Sequence, residues 1–306
     1  MHVKLNPFAM RRTAGFGPST RSGKSTKLRN AAGVCARALS EKAPSMTPTA
    51  YQNILFTREG RIAFVTMNRP DKRNALSVEH MNELIDCFRA IGDDRSLAIV
   101  ILRGNGPAFS AGHDLQEMLG RDPDFYHHEF AVCTVLMETI QAIPQPVIAE
   151  VRGIATAAGC QLVATCDLAV AEEGARFATP GVKVGLFCTT PMVALTRAVG
   201  QKKSMEMLLT ADFVSAADAL AHGLINKVVP ADALQSETLA LAERIAAASS
   251  AVLAVGKQAF YRQYGLPQGE AYAYASGVMA DSASHADAQE GIGAFVQKRQ
   301  PHWQGR

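Results

Sequence analysis

Residues 147–171 read VIAEVRGIATAAGCQLVATCDLAVA, and the order of residue types in this stretch decides the architecture. Val147–Val151 is a short apolar run of strand length, and Pro144 and Pro146 close off the helical region before it. From about residue 158 the chain opens with very small residues, Ala157, Ala158 and Gly159, and continues as a helix. A second strand is predicted at 168–171. Two strands joined by a helix predict a right-handed βαβ crossover and a largely parallel sheet. Small residues at a helix start imply that something approaches the backbone closely. The first polar side chain beyond that gap is Gln161, an amide where an acid would be chemically more useful.

The same design recurs outward along the chain. Ile62–Met67 reads as a strand stopped by Asn68, Arg69 and Pro70, and Ser77 caps a helix carrying Met81, Leu84, Ile85 and Phe88 on one face. LAIVILRG (97–104) is a continuous apolar run ended by glycine, as in a strand buried on both faces. The loop NGPAFSAGHDL follows it, and then a helical region over 125–142. From Thr190 onward the chain is predicted to be almost wholly helical, with one short strand at Lys227–Val229. Its final quarter is amphipathic and carries no catalytic cluster, so its apolar faces are expected to pack on the core or on other subunits.

Composition narrows the possibilities. The 306 residues are 48% hydrophobic, without an apolar run of membrane-spanning length, so a soluble globular protein with no membrane partner is expected. The net charge of +3 conceals an asymmetry: residues 1–40 hold eight Lys/Arg and no Asp/Glu, leaving 23 basic against 28 acidic residues in 41–306. A mildly acidic folded part argues against a nucleic-acid partner. The basic, Ser- and Ala-rich start has the composition of a mitochondrial transit peptide; the other reading is an upstream start with Met46 as the functional beginning. The first reading places the protein in the mitochondrial matrix, the second in a bacterial cytoplasm. Either way residues 1–47 are set apart from the fold. GPSTRSGKS (17–25) imitates a phosphate-binding loop, but Gly17 and Gly23 are one residue too far apart and no strand precedes them. Six cysteines without CxxC pairing fit reduced thiols. His127, His128 and Cys133 read as a solvated helix start rather than a metal site.

Two loops carry the chemistry. Residues 100–103 lead into FSAGHDLQEM (109–118), and Val147–Val151 leads into RGIATAAGCQL (152–162). In each, free N–H groups at a helix start follow the C-terminal end of a buried strand, near the positive end of a helix dipole. Two such donors converging on one point would bind a carbonyl oxygen and stabilise it as it becomes an enolate.

NRPDKRNALS, FSAGHDLQEM, GCQLVATCDLAVA, ARFATPGVKVGL and LTRAVGQKKSMEMLLT, in that order and spacing, resemble the crotonase (enoyl-CoA hydratase/isomerase) superfamily over about Tyr51 to Trp303. GCQLVATCD and FATPGVKVGLFCTTP are similar to the enoyl-CoA hydratase domain-containing protein 3 group and its bacterial relatives. The resemblance implies an α/β crotonase (ClpP/crotonase-like) spiral of ββα units over 48–250 and a helical C-terminal trimerisation region over 251–306. It further implies a homotrimer or hexamer and a role in fatty-acid and acyl-CoA metabolism, with a coenzyme A thioester as substrate and no tightly bound cofactor. Carried over by position, the oxyanion hole falls on the backbone N–H groups of His113 and Ala158, with the His113 imidazole turned elsewhere. Coenzyme A contacts fall on Asp71, Lys72, Arg73, Ala111, His113, Asp114, Leu115, Gln116 and Lys298. Gln116 stands where the family often has a phosphate-binding lysine.

The family's two acids fall on Gln161 and Gly181. An amide has no useful basicity and glycine has no side chain, so the usual two-glutamate hydration is not expected. Three readings remain: an oxyanion-only enzyme resembling methylmalonyl-CoA decarboxylase, with Cys188 near that family's tyrosine; a hydratase or isomerase with a displaced acid at Asp114, Glu117 or Glu150; and a non-catalytic acyl-CoA-binding subunit. Restoring both acids, Gln161→Glu with Gly181→Glu, is expected to raise hydration if the pocket is otherwise intact.

Overall fold

The structure, a computed structural model, describes residues 51–305, so the readings that fall on residues 1–47 lie outside the described residues. Among those described, the larger sheet has the order β1-β2-β3-β5-β7-β10. Its strands are β1 (Ile54–Glu59), β2 (Ile62–Met67), β3 (Ile99–Gly104), β5 (Val147–Val151), β7 (Leu168–Glu172) and β10 (Lys227–Val229). β1 and β2 form an antiparallel hairpin, and every other pair in this sheet is parallel. A smaller sheet runs β4 (Ala108–Ser110), β6 (Ile154–Thr156), β8 (Arg176–Ala178) and β9 (Val214–Ser215). Each of β3, β5 and β7 is followed at once by a short partner in this second sheet, which gives the repeating strand–strand–helix turn.

The expected parallel sheet is present, and β2, β5 and β10 have the predicted bounds. The smaller sheet was not anticipated. Its strands have two or three residues, too few to show a period. β1 was missed for another reason: after Ile54 its side chains are mostly exposed, so it lacks an apolar run.

Helices cover both faces of the larger sheet. On one face Val65, Val100, Leu102, Ala149 and Val151 pack against α1 (Val78–Asp93), α3 (Pro123–Ala142) and α4 (Ala158–Thr165). On the other, Phe64, Ile99, Ile101, Ile148 and Val170 pack against Leu234 and Ala242 of α8 (Leu234–Ala246). Burial on both faces explains the unbroken apolar run of β3. Caps follow the sequence: Ser77 accepts the His80 N–H at the start of α1, and Asp122 accepts the Phe125 N–H ahead of Pro123 in α3.

Four short helices, α2 (Leu115–Met118), α5 (Thr189–Ala198), α6 (Gln201–Thr210) and α7 (Ala216–Ala221), complete the core. Then come α9 (Ser250–Tyr264), α10 (Gln268–Ala283) and α11 (Ala286–Val296). α9 is fastened to the core by Lys257. Its buried Nζ donates to the Ile140 carbonyl at 2.8 Å and the Gln145 carbonyl at 2.9 Å, and pairs with Asp167 Oδ2 at 2.8 Å. All three ammonium protons are thereby used. Asp167 in turn accepts the Tyr261 hydroxyl and the Val147 N–H that starts β5. Lys257→Ala should lower unfolding free energy by about 3 kcal/mol, because it strands Asp167 and two carbonyls in the interior. Urea denaturation of the purified variant checks this.

Candidate active site

The loop after β2 is laced to the loop after β4 by three main-chain bonds. The Ala111 N–H donates to Arg73 at 2.9 Å, the Leu76 N–H to Gly112 at 2.8 Å, and the Asp114 N–H to Leu76 at 3.0 Å. Arg73 and Asn74 take left-handed φ values of 51° and 53° to make this turn. Buried Asn74 holds it: its amide donates to the Asn105 and Ala108 carbonyls and its oxygen accepts the Arg69 N–H. Ser110 Oγ donates to the Asn74 carbonyl and accepts the Gly112 N–H. The N–H groups of Ala111, Gly112 and Asp114 are therefore all used, within this loop or across to the 73–76 turn, while that of His113 has no acceptor among the described residues.

The second loop enters α4 through Ala157, whose φ of 50° and ψ of −118° are strained for a residue with a Cβ. The Ala157 N–H donates to the Ala178 carbonyl, and the Ala158 N–H has no acceptor among the described residues. The two loops touch through glycines. A Cβ on Gly159 would lie 2.3 Å from the Ser110 carbonyl oxygen, and one on Gly112 would lie 2.8 Å from the Ala157 Cβ and 3.2 Å from the Ala158 nitrogen. His113 follows Gly112 and Ala158 precedes Gly159, so both unused donors flank the contact. Small residues serve here first to let the two main chains meet.

The expected acids sort differently. Gln161 lies on α4, 5% exposed, one turn beyond Ala158. Gly181 is buried in a short 3-10 turn, Pro180–Val184, where a Cβ would meet Cys188 Sγ and the Leu186 carbonyl oxygen, each at 2.8 Å. A side chain at Gly181, where the resemblance puts the family's second acid, would thus require the 186–188 segment to shift. Cys188 Sγ accepts the Gly181 N–H at 3.3 Å, and burial pushes its thiol pKa up, which makes it a packing residue. Asp114 caps α2 and pairs with Arg69 at 2.9 Å and Lys72 at 3.3 Å. Although burial works the other way, these two cations hold its carboxyl below the usual range. Glu117 accepts the Val78 N–H at the start of α1. Glu150 alternates with Ala149 and Val151 and so faces α8, away from both loops; burial raises its pKa despite Arg103 and Arg152. Each of the three thus has a structural engagement already: cations for Asp114, a helix start for Glu117 and the far face of the sheet for Glu150.

Of the coenzyme A candidates, Asp71, Lys72, Arg73, Leu115 and Gln116 lie together at the exposed rim of the first loop. Lys72 Nζ donates to Gln116 Oε1 at 3.3 Å, which leaves it about half exposed over Asp114. The Ala111 carbonyl accepts the Thr156 hydroxyl and ties the rim to β6. Lys298 follows α11, and among the described residues no hydrogen bond or ion pair joins it to the 71–73 turn.

One acid escaped the sequence reading. Glu129 is fully buried on α3, with Oε1 at 3.1 Å from Nδ1 of His113, whose own side chain is 9% exposed. The two groups are within ion-pair range but not aligned for a hydrogen bond, and His113 Nε2 and both Glu129 oxygens have no hydrogen-bond partner among the described residues. Cys133, one turn along α3, points its buried thiol at Gln161 Oε1, 3.9 Å away, while His127 and His128 are exposed. Burial alone would lower the His113 pKa; Cys133 and Glu129 overcome it and push it up to about 9. The signal was present as an acid in the apolar stripe Glu129, Cys133, Leu136, Ile140, at helical spacing.

Doubly covered parallel strands, the short second sheet and two strand-to-helix loops in backbone contact define a crotonase fold with added C-terminal helices. The enoyl-CoA hydratase/isomerase family model matches residues 57–306, and the chain belongs to that family. It is 48% identical over 247 residues to the mitochondrial enoyl-CoA hydratase domain-containing protein 3 of Xenopus laevis, covering 80% of this chain and 84% of that protein. The crystal structure of human enoyl-CoA hydratase domain-containing protein 3 superposes with a TM-score of 0.80 at 45% identity, covering 82% of this chain and all 100% of the other. An enoyl-CoA hydratase of Mycobacterium smegmatis gives a TM-score of 0.81 at 48% identity, covering 82% and 99%.

Two outcomes are expected. Gly181→Glu should destabilise the fold by about 1–3 kcal/mol through overpacking against Cys188, seen as a lower urea midpoint, so restoring both acids disrupts the site. The His113 pKa rises from an unfolded value of about 6.5 to about 9 in the fold. Its contribution to stability should be complete below the lower value and lost as pH rises through the upper one. Urea unfolding across that window should show the loss in the native chain and a smaller loss in Glu129→Gln.

Proposed function

We propose that this protein binds acyl-CoA thioesters and stabilises a thioester enolate through an oxyanion hole formed by the N–H groups of His113 and Ala158. One observation carries this reading: two main-chain donors without acceptors flank the glycine contact of the two loops. Such donors are fixed before substrate arrives, so they spend no reorganisation when charge develops on the carbonyl oxygen. The exposed rim of Asp71, Lys72, Arg73, Leu115 and Gln116 supports coenzyme A binding there, with the thioester as substrate and no tightly bound cofactor. Leu115, Leu119, Leu186 and Phe187 remain exposed beside the two loops and suit an apolar acyl chain.

Family membership supports a place in acyl-CoA metabolism. The basic residues 1–40 and the mitochondrial relative support the mitochondrial matrix, and the mycobacterial relative supports a bacterial cytoplasm. α10 has no buried residue, and Tyr272, Met279, Phe295 and Val296 are largely exposed on α10 and after it, which supports a homotrimer or hexamer. A second reading, a non-catalytic acyl-CoA-binding subunit, draws support from Gln161 and the closed Gly181 position. The decarboxylase-like reading would need a proton donor such as Cys188, a buried thiol whose Sγ accepts the Gly181 N–H.

Mass spectrometry of the protein incubated separately with crotonyl-CoA, a β,γ-enoyl-CoA and methylmalonyl-CoA tests these readings. At least one thioester should be converted, and Ala158→Pro, which removes one donor, should slow that conversion by about 10²-fold or more. Binding without any conversion selects the subunit reading, and loss of CO2 from methylmalonyl-CoA selects the decarboxylase one.

A further inference from the structure

The acids of the described chain can be sorted by what each already does. Asp114 is held by two cations, Glu117 caps α1, Glu150 lies on the far face of the sheet, and Asp167 is committed to Lys257 and Tyr261. Asp287 accepts the Ser249 hydroxyl and the Gln304 and Gly305 N–H groups under the C-terminal tail. Glu129 is different. Its carboxylate is buried against the first loop, and neither oxygen has a hydrogen-bond partner among the described residues. A buried carboxylate whose charge is met by one histidine 3.1 Å away, without aligned hydrogen bonds, is costly to bury. Its neighbours make it a built cluster: His113 belongs to the residue that supplies one oxyanion donor, and Cys133 bridges to Gln161 on the helix that supplies the other. The edge of the His113 ring is steadied by Phe130, with centroids 5.3 Å apart.

We propose that Glu129 and His113 form the proton-transfer unit of the acyl-CoA site, taking over from α3 the work that Gln161 and Gly181 cannot do. The inference rests on the oxyanion-hole reading above. The unit accepts the α-proton of a bound thioester. The Cα–H bond breaks, its electron pair passes into the enolate held by the His113 and Ala158 N–H groups, and an O–H bond forms on the Glu129 carboxylate, with the protonated His113 ring beside it. Returning the proton to Cα reverses the step; returning it to Cγ of a β,γ-enoyl thioester gives the conjugated isomer. Neither outcome needs water, an oxidant or a second acid. Hydration would need both an activated water and a proton donor to carbon, and the second acid's place is closed by Cys188. The substrate class is therefore a thioester undergoing proton shift.

The test uses the full chain and butyryl-CoA in D2O, with α-deuterium uptake read by mass spectrometry and binding read by calorimetry. The native chain should bind and exchange. Glu129→Gln should bind equally and lose exchange by about 10²-fold or more, the size of a general-base contribution. Glu129→Asp should retain part of it. His113→Asn, which keeps the backbone donor and removes the imidazole, should also bind and lose exchange, and it serves if Glu129→Gln does not fold. Undiminished exchange in Glu129→Gln overturns the proposal. So does a native chain that binds butyryl-CoA and exchanges nothing, while the acyl-CoA reading survives. Failure to bind overturns the acyl-CoA reading itself, and the pair's role with it.

Discussion

Gly159 sits so near Ser110 that a methyl group there would come within 2.3 Å of the Ser110 carbonyl oxygen. That approach, with its counterpart at Gly112 and Ala157, sets two loops from different turns of the spiral against each other along their main chains. Each loop descends from a strand of the parallel sheet, so the sheet's register fixes where the two loops can meet. Backbone contact of this kind has little slack, since main-chain atoms cannot change rotamer to relieve a clash. The position of the two unused N–H groups is therefore a property of the whole βαβ framework. Asn74 and the 73–76 turn hold one side of the contact, and the strained entry at Ala157 holds the other. Strain is retained at a site when surrounding structure over-determines it, and here β6, β8 and α4 all converge on Ala157.

Electrostatics around the contact is divided between a wet rim and a dry interior. On the rim, Asp114 is neutralised by Arg69 and Lys72, leaving Lys72 half exposed above it. In the interior, Glu129 pairs with His113 at 3.1 Å, and neither of its oxygens has a hydrogen-bond partner among the described residues. Acids with ordinary structural partners are explained by capping and pairing. Glu129 stands instead in the dry interior, its carboxylate 3.1 Å from the His113 ring. His113 joins the two regions in a single residue, its backbone turned to the contact and its ring turned to α3.

The sequence by itself determined the parallel sheet, through apolar runs separated by helical spacing, and it identified both loops by their small residues. The family resemblance assigned the two acid positions to Gln161 and Gly181; residue type alone shows only that one is an amide and the other a glycine. Glu150 shows where such reading stops: its neighbourhood in the chain suggested a role, and strand alternation places it under α8 instead. Glu129 is the converse case. It lies 32 residues from Gln161 in the chain, and only the packing of α3 against α4 brings Cys133, its neighbour one turn on, to that amide. Whether the Gly181 position could hold an acid was likewise decided in three dimensions, by Cys188 folding back over it. Residue type and periodicity are local and survive in one dimension. Which buried groups face each other depends on how strands, helices and loops stack, and the tertiary structure alone decides that.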